Sequence, residues 1–489
     1  MEFEAVIGLE IHAQMSTKTK MFCGCDNDSF DKAPNINACP VCMGFPGQLP
    51  VINEEAVKKG VKAALALNCQ VQSHSKFDRK NYFYPDNPKG FQISQYDEPV
   101  SKNGFIEVEV RDGENNIRKI KVGITRLHLE DDAGKLMHVR DGSLVDFNRA
   151  GTPLMEIVSE PDMRTAQEAG AYAREIQKIV RYVGSSDADM EKGMMRFDAS
   201  VSIRPKGEKK LYPRAEIKNL NSFKMLENAV DYEIARQIRV WEEGNPLKSP
   251  ITMGWNDEKK ETYFMRDKEE SDDYRYFPEP DLPMLVLDEN MVAEIKKSLP
   301  QLPNVKRKKY MEEFGISEDE ARILSDDPVM AAYFEDVVRI SGDAKKSASF
   351  ITTILIAKLK EDLIGIAQQK ISPEMLAELI KLINSDVISN NTAKGVVFDE
   401  MYEKGIAPAK IVEEKGLKQV SDASEIERVC NEVIAENAGS VADIKAGKGK
   451  AMAFLVGQVM KKSKGKANPQ MVNDVLKKLI IGFIILSVL

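Results

Sequence analysis

At 489 residues the chain is too long for one hydrophobic core, and two to four domains are expected. Its 43% hydrophobic and 30% charged residues, with a mean hydropathy of -0.35, are those of a soluble globular protein. A net charge of -8 argues against a general affinity for polyanions, so nucleic-acid binding would need a local basic patch.

The start, Met1-Glu2-Phe3-Glu4, lacks a basic region followed by an apolar run, which argues against a secretory signal. Strict alternation follows. In Val6 to Gln14, Glu10, His12 and Gln14 share one side and Ile7, Leu9 and Ile11 the other. Strand side chains alternate between faces, so this spacing predicts a half-buried strand with a chemically active face. Next come Cys23-Gly24-Cys25 and Cys39-Pro40-Val41-Cys42, fourteen residues apart from Cys25 to Cys39. Small structural zinc sites are built from two such thiolate pairs joined by a loop. Four cysteines leave no open coordination position, so the expected Zn²⁺ loop, 23–42, is structural. Six cysteines in a large chain without a signal do not form a disulfide framework, and the expected location is cytoplasmic. Cys69 and Cys430 are isolated and read as small buried residues.

Glu54 to Leu67 has helical spacing. Lys76 to Asp86, with Arg79, Lys80 and Tyr82, and Lys89 to Gln92 then interleave cations with aromatics. Such a block either holds a base by stacking and a phosphate by charge, or is a loop whose rings pack on a sheet. Thr125 to Glu130 repeats the alternation, with Arg126, His128 and Glu130 opposite Leu127 and Leu129. The acids Glu130, Asp131 and Asp132 precede Gly134-Lys135, and Asp146 to Gly151 carries Arg149. Three acids beside a Gly-Lys suit Mg²⁺ near phosphate, since that ion takes few carboxylates and bridges phosphate oxygens.

Leu154 to Val158 alternates more weakly, while Arg196 to Arg204 and Arg214 to Lys218 alternate clearly. Ala166 to Val183 and Met225 to Trp241 have helical spacing. The five alternating segments can form one sheet, apolar beneath and charged above. Any half-buried antiparallel sheet shows that pattern. Here, however, two of the four histidines fall on the charged face, which suits a metal and phosphate site. Ser271 to Pro280 is aromatic and proline-punctuated, a loop or strand exit. The chain has no GxxxxGK[ST], GxGxxG, GxSxG or HExxH, so the common nucleotide and hydrolase scaffolds are excluded.

Pro300 and Pro303 bracket a linker, after which apolar residues recur at three and four, as in Val329 to Ile340 and Ser347 to Leu363. Ser372-Pro373 is a helix start, and a smaller helical unit follows Pro408. From Ile444 to Asn473 there is no acid, and the seven lysines there include Lys448, Lys450, Lys461 and Lys462. That patch suits a phosphate backbone. Leu479 to Leu489 is nearly all apolar but too short to span a bilayer, so no membrane attachment is expected.

Seven blocks resemble the GatB family, the B subunits of the bacterial and organellar tRNA-dependent amidotransferase. They are 8–14, 80–85, 128–135, 146–151, 156–162, 216–223 and 273–280, in family order over nearly the whole chain. The resemblance implies an α+β fold: a cradle-like, mainly antiparallel β-sheet domain with helices over 1–293, a helical domain over 294–408, and a YqeY-like tRNA-binding tail over 409–489. It also implies ATP-dependent transamidation of misacylated Glu-tRNA(Gln) or Asp-tRNA(Asn). Implied partners are an amidase-type glutaminase A subunit and a small C subunit in a heterotrimer.

On this reading Glu10, His12 and Glu130 hold Mg²⁺, Arg126, Lys135 and Arg149 neutralise phosphate charge, and His128 belongs to the same catalytic set. Arg79, Lys80, Tyr82 and Lys89 would hold the aminoacyl carboxylate or acceptor end, and Lys448, Lys450, Lys461 and Lys462 the tRNA backbone. Met194, Met195 and Phe197 replace the smaller or more polar residues expected of the family, which ranks Arg196 and Asp198 lower. Some members lack the cysteines, so zinc would not be essential to the chemistry. A non-catalytic tRNA-binding scaffold is the alternative, and a stand-alone zinc hydrolase is disfavoured by the closed cysteine site.

Overall fold

The alternating Val6–Gln14 segment becomes the middle of β1 (Phe3–Gln14), the central strand of a nine-stranded sheet. The computed structural model describes residues 1–111, 116–268, 271–419, 423–445, 450–463 and 467–486. They fall into two compact units, Met1–Pro303 and Asn304–Leu489.

In the first unit the remaining sheet strands are β2 (Gln70–Val71), β3 (Ser101–Arg111), β4 (Ile117–Asp131) and β5 (Pro153–Ser159). They continue with β6 (Met195–Pro205), β7 (Ala215–Leu220), β8 (Ile251–Asn256) and β9 (Glu261–Asp267). Their order is β9-β8-β7-β6-β1-β5-β4-β3-β2, antiparallel except for the β7–β8 pair. All five alternating segments therefore sit in one sheet, and the weakest of them, Leu154–Val158, supplies β5 beside the central strand.

One face is apolar. Ile7, Leu9, Ile11, Leu127, Leu129, Ile157 and Phe197 are almost wholly buried in one core with Val61, Tyr172, Ile176 and Leu226. Fully burying such a side chain contributes about 1.5–3 kcal/mol, and this fixes which way every strand faces. The covering helices are α1 (Glu54–Ala66), α2 (Ala166–Tyr182) and α3 (Phe223–Glu242), N-capped by Asn53, Thr165 and Ser222. A Cβ at Gly60 would lie 2.7 Å from Leu129 Cδ2, so glycine sets how closely α1 approaches the sheet.

Two smaller pieces edge the opposite, charged face. Residues Asp78–Asn81 pair with Phe91–Ser94 and with Phe277–Pro278. Ile93 N donates to Asp131 Oδ1 and Ser94 Oγ to Glu130 Oε2, tying this small sheet to the end of β4. A separate hairpin, Lys135–Val139 with Gly142–Asp146, leads into the turn that carries Arg149.

The second unit contains two cores. Phe334, Ile351, Leu355, Leu376, Ile380 and Phe398 belong to the first, and the expected start at Ser372 is its helix cap. The second core joins α4 (Ala423–Glu436), α5 (Lys450–Lys462) and α6 (Pro469–Leu486) through Ile426, Cys430, Leu455 and Leu476. Among the described residues no helix is long and apolar enough to cross a membrane. Lys448 and the last three residues of the apolar end, 487–489, lie outside the described residues.

Candidate active site

Antiparallel register lines up the charged side chains. His12 on β1 faces Arg196 on β6 and Glu156 on β5, and Glu156 faces His128 on β4. One pleat along, Glu10 faces Asp198. Cross-strand partners share a face at about 4.5–5.5 Å. The row is therefore four strands of ionisable groups over the core. These residues line a pocket of about 920 Å³, together with Lys80, Tyr82, Asp132, Lys218, Tyr274 and Tyr276.

Two groups of three share His12: Glu10–His12–Asp198 and His12–Glu130–Glu156, each with its donor atoms within 4.8 Å of one another. The expected set of Glu10, His12 and Glu130 is divided between them. In the strand register Glu10 pairs with Val158 and Glu130 with Leu154, so the two acids lie on opposite sides of the His12–Glu156 row. His12 Nδ1 is 3.6 Å from Glu130 and 3.8 Å from Glu156, and Nε2 is 3.6 Å from Asp198. None of these is hydrogen-bond distance, and Nδ1 is a buried polar atom with no hydrogen-bond partner. An orphaned imidazole nitrogen among carboxylates fits a cation held between them.

The electrostatics point the same way. Burial works against a charged His12, but Glu156, Asp198 and Glu130 outweigh it and hold the imidazole up at about 10. Burial would raise Glu156, yet His128 and His12 pull it down to about 2. Glu10 behaves oppositely: burial and the Glu156 charge raise it, with Lys218 the opposing influence. Glu156 and Glu130 raise His128 against its burial as well, so the pocket holds two proton-rich imidazoles among carboxylates, a balance that a divalent ion would replace.

Cations surround the acids. Arg126 Nε donates to His128 Nδ1 at 3.3 Å, leaving His128 Nε2 3.4 Å from Glu156. Arg149 donates to Ala133 O and Gly134 O and lies 3.4 Å from Asp132, which Arg196 approaches at 3.3 Å. Lys218 bridges Asp198 at 2.9 Å and Glu216 at 3.0 Å. Lys135 lines the same pocket from an exposed position. Lys80 lies 4.9 Å from the Tyr274 ring, and Tyr276 stacks on Tyr96 at 4.4 Å.

Arg79 and Lys89 depart from expectation. Alternation in Asp78–Asn81 turns Arg79 away from its neighbour Lys80, and it forks onto buried Glu279 at 2.7 and 2.8 Å. Lys89 pairs with Asp131. Both line a second cavity of about 240 Å³ beside the cysteine loop, not the main pocket. Arg196 and Asp198 depart in the other direction, lying at the centre of the main pocket. The unexpected Met195 and Phe197 alternate onto the apolar face, at 1% and 0% exposure, and do not bear on the charged one. Glu156, Glu216 and Lys218 were visible in the same alternation, whereas Asp132, Tyr274 and Tyr276 reach the pocket from turns that no periodicity marks.

The four cysteines Cys23, Cys25, Cys39 and Cys42 bring their sulfurs within 4.8 Å of one another. Tetrahedral zinc with bonds of about 2.3 Å needs sulfurs about 3.8 Å apart, so the cluster fits the ion. Cys39 N–H donates to Cys42 Sγ at 3.1 Å, a tight turn preset for ligation. A hydrogen bond from Cys23 draws the Cys42 thiol down to about 5 against its burial. The loop is stitched to the Arg149 turn: Asn35 N donates to Asp146 Oδ1, Asn37 N to Asn148 Oδ1, and Asn148 Nδ2 to Ala33 O. Metal removal by a chelator should therefore raise amide exchange over 33–37 and over 145–149, leaving β1 and β6 protected. Unchanged exchange at 145–149 would show that the loop does not brace that turn.

In the tail, Lys462 Nζ is held by Glu432 at 2.9 Å and Glu436 at 2.6 Å. The acid-free run is thus partly neutralised by α4, which is remote in sequence. Lys461 is exposed, and Lys450 lies at the start of α5.

A sheet that displays two histidine–carboxylate groups, ringed by Arg and Lys in one pocket, has the equipment of an enzyme that handles a divalent cation and phosphate. Family models give the class its name. The model of the GatB/GatE catalytic domain matches residues 5–293, and a GatB domain model matches residues 332–480. The chain is 49% identical over 481 residues to the B subunit of the aspartyl/glutamyl-tRNA(Asn/Gln) amidotransferase of Persephonella marina, covering 98% of this chain and 100% of that one. It is 47% identical to the B subunit of the same amidotransferase in Carboxydothermus hydrogenoformans, covering 97% of this chain and 98% of that one. The chain belongs to the GatB/GatE family.

Proposed function

We propose that the protein is the B subunit of a tRNA-dependent amidotransferase, acting on Glu-tRNA(Gln), Asp-tRNA(Asn) or both. The observation that carries this is the pair of cation-ready groups sharing His12 in a pocket walled by arginine and lysine. The reaction is a ligation. A side-chain carboxylate has no usable leaving group, so one of its oxygens attacks the γ-phosphorus of ATP, releasing ADP. Ammonia then attacks the acyl carbon, the C–O bond to phosphate breaks, and the amide and inorganic phosphate are the products.

Glu10, His12 and Asp198, with Glu130 and Glu156, would hold Mg²⁺, which when bound screens the phosphate oxygens. Arg126, Arg149, Arg196 and Lys218 meet the charge that spreads over the transferred phosphoryl group. Lys80 is positioned to hold the acceptor carboxylate: burial disfavours its charge, but Tyr276, Glu130 and Glu156 hold it protonated. The Tyr274 and Tyr276 rings offer a face for a base. Zinc would be held by the four cysteines as a brace for the Arg149 turn. The working division is 1–293 for the chemistry and 294–408 and 409–489 for helical modules, the last contacting tRNA. Ammonia would come from a glutaminase A subunit, with a small C subunit completing a cytoplasmic heterotrimer.

The test is the purified complex with Glu-tRNA(Gln), γ-labelled ATP and ammonia, without glutamine. ATP-dependent formation of Gln-tRNA(Gln) with release of labelled phosphate supports the proposal. Binding of tRNA without turnover would make the chain a scaffold. In the tail, Lys461→Glu should weaken tRNA binding and lower the slope of log affinity against log salt by about one, sparing glutamine hydrolysis. Lys462→Glu should instead lower the melting temperature, because it places a third acid against Glu432 and Glu436.

A further inference from the structure

We infer that Lys20 is the buried counter-ion of a metal-bound tetrathiolate formed by Cys23, Cys25, Cys39 and Cys42. The inference rests on the zinc reading of that loop.

Lys20 is 0% exposed and among the largest fully buried side chains of the protein. Burying an ammonium is costly unless an anion compensates it. Its Nζ donates to Asn37 O at 2.7 Å and lies 3.9 Å from Cys42 Sγ. No carboxylate stands within ion-pair distance among the described residues. A carbonyl satisfies one N–H but does not cancel a full charge, so among the described residues the group in reach that can is the Cys42 sulfur. Four neutral thiols would leave the ammonium uncompensated. Four thiolates on a divalent ion carry a net charge of about -2, which the lysine halves.

The lysine is fixed at both ends of its backbone and along its stem. Its backbone N–H donates to Cys25 O at 3.0 Å, and Asn53 Nδ2 donates to its carbonyl at 3.2 Å. Gly151 packs over its stem: with φ +87, a Cβ there would meet Cys42 Cβ at 3.1 Å and Lys20 Cδ at 3.4 Å. One glycine turn thus presses both the cation and a sulfur ligand into the same space. A partner of this kind, donating to a coordinating thiolate, keeps the ligand deprotonated and its lone pairs on the metal.

The experiment uses the full-length protein and two readouts, zinc affinity by chelator competition and the sulfur-to-metal charge-transfer absorption of the Co²⁺ form. Lys20→Gln keeps a donor for Asn37 O and removes the charge. It should bind zinc roughly 10–100-fold more weakly and give a weaker Co²⁺–thiolate band. Lys20→Arg should restore both. In a Cys42→Ser background, Lys20→Gln should add little further loss, since its sulfur partner is already gone. Wild-type affinity and an unchanged Co²⁺ band in Lys20→Gln would overturn the role of Lys20 while leaving the metal site standing. Failure of the reduced wild-type chain to bind zinc or Co²⁺ at all would overturn the metal reading, and the counter-ion with it. If Lys20→Gln does not fold, zinc affinity of Lys20→Arg beside Lys20→Met, refolded with excess zinc, decides the same question.

Discussion

His12→Ala should lower the rate of amidation in the assembled complex by on the order of 10²–10³-fold or more, while glutamine hydrolysis and tRNA binding persist. His12 is the one residue common to both cation-ready groups and stands on the central strand. Without it Glu10, Glu130, Glu156 and Asp198 face one another with no imidazole between them. The loss should fall mainly on kcat, because what disappears is stabilisation of charge that develops as phosphoryl transfers. A thermal melt keeps folding separate from chemistry. A His12→Ala complex that amidates at the normal rate would remove both groups from the mechanism.

Lys218→Met should destabilise the first unit by about 2 kcal/mol, a buried-pair loss discounted because the side chain is 30% exposed. Lys218 is the bridge between Asp198 and Glu216, and its removal leaves two buried carboxylates short of a cation. Burial would raise Asp198, but Lys218 and His12 hold it well below the usual carboxylate range. Glu216 is likewise lowered, by Lys218 and Lys268 against its burial. Groups depressed in the folded state contribute stability above their unfolded values, near pH 4, and lose it as pH falls through the folded ones. The gap in melting temperature between wild type and Lys218→Met should thus be widest near pH 7 and narrow below about pH 5, where the variant's carboxylates take up protons. A gap independent of pH would mean that Lys218 contributes packing and not charge.

The strands were legible because their alternation reports the core. Val6–Gln14, Arg196–Arg204 and Leu154–Val158 each lie within the observed strands β1, β6 and β5. The helices at Glu54, Ala166 and Met225 showed the same kind of signal at a period of 3.6. The charged face is a single surface across β6, β1, β5 and β4. Met195 and Phe197 belong to the opposite face, so they say nothing about Arg196 or Asp198. Arg79 and Lys80 are adjacent in sequence and enter different cavities for the same reason.

By itself, then, the sequence determined which side chains form the apolar core of the sheet, which face each strand turns away from it, and which family's blocks the chain carries. Those follow from local periodicity and side-chain chemistry, which neighbours on the chain carry with them. Strand order was decided only by the tertiary structure. The register across β1, β5 and β4 set Glu10 and Glu130 on opposite sides of the His12–Glu156 row and gave His12 two sets of partners. Folding likewise brought Glu432 and Glu436 to Lys462, and an uncompensated Lys20 to Cys42. Coulomb energy depends on distance in space, and distance along the chain does not report it.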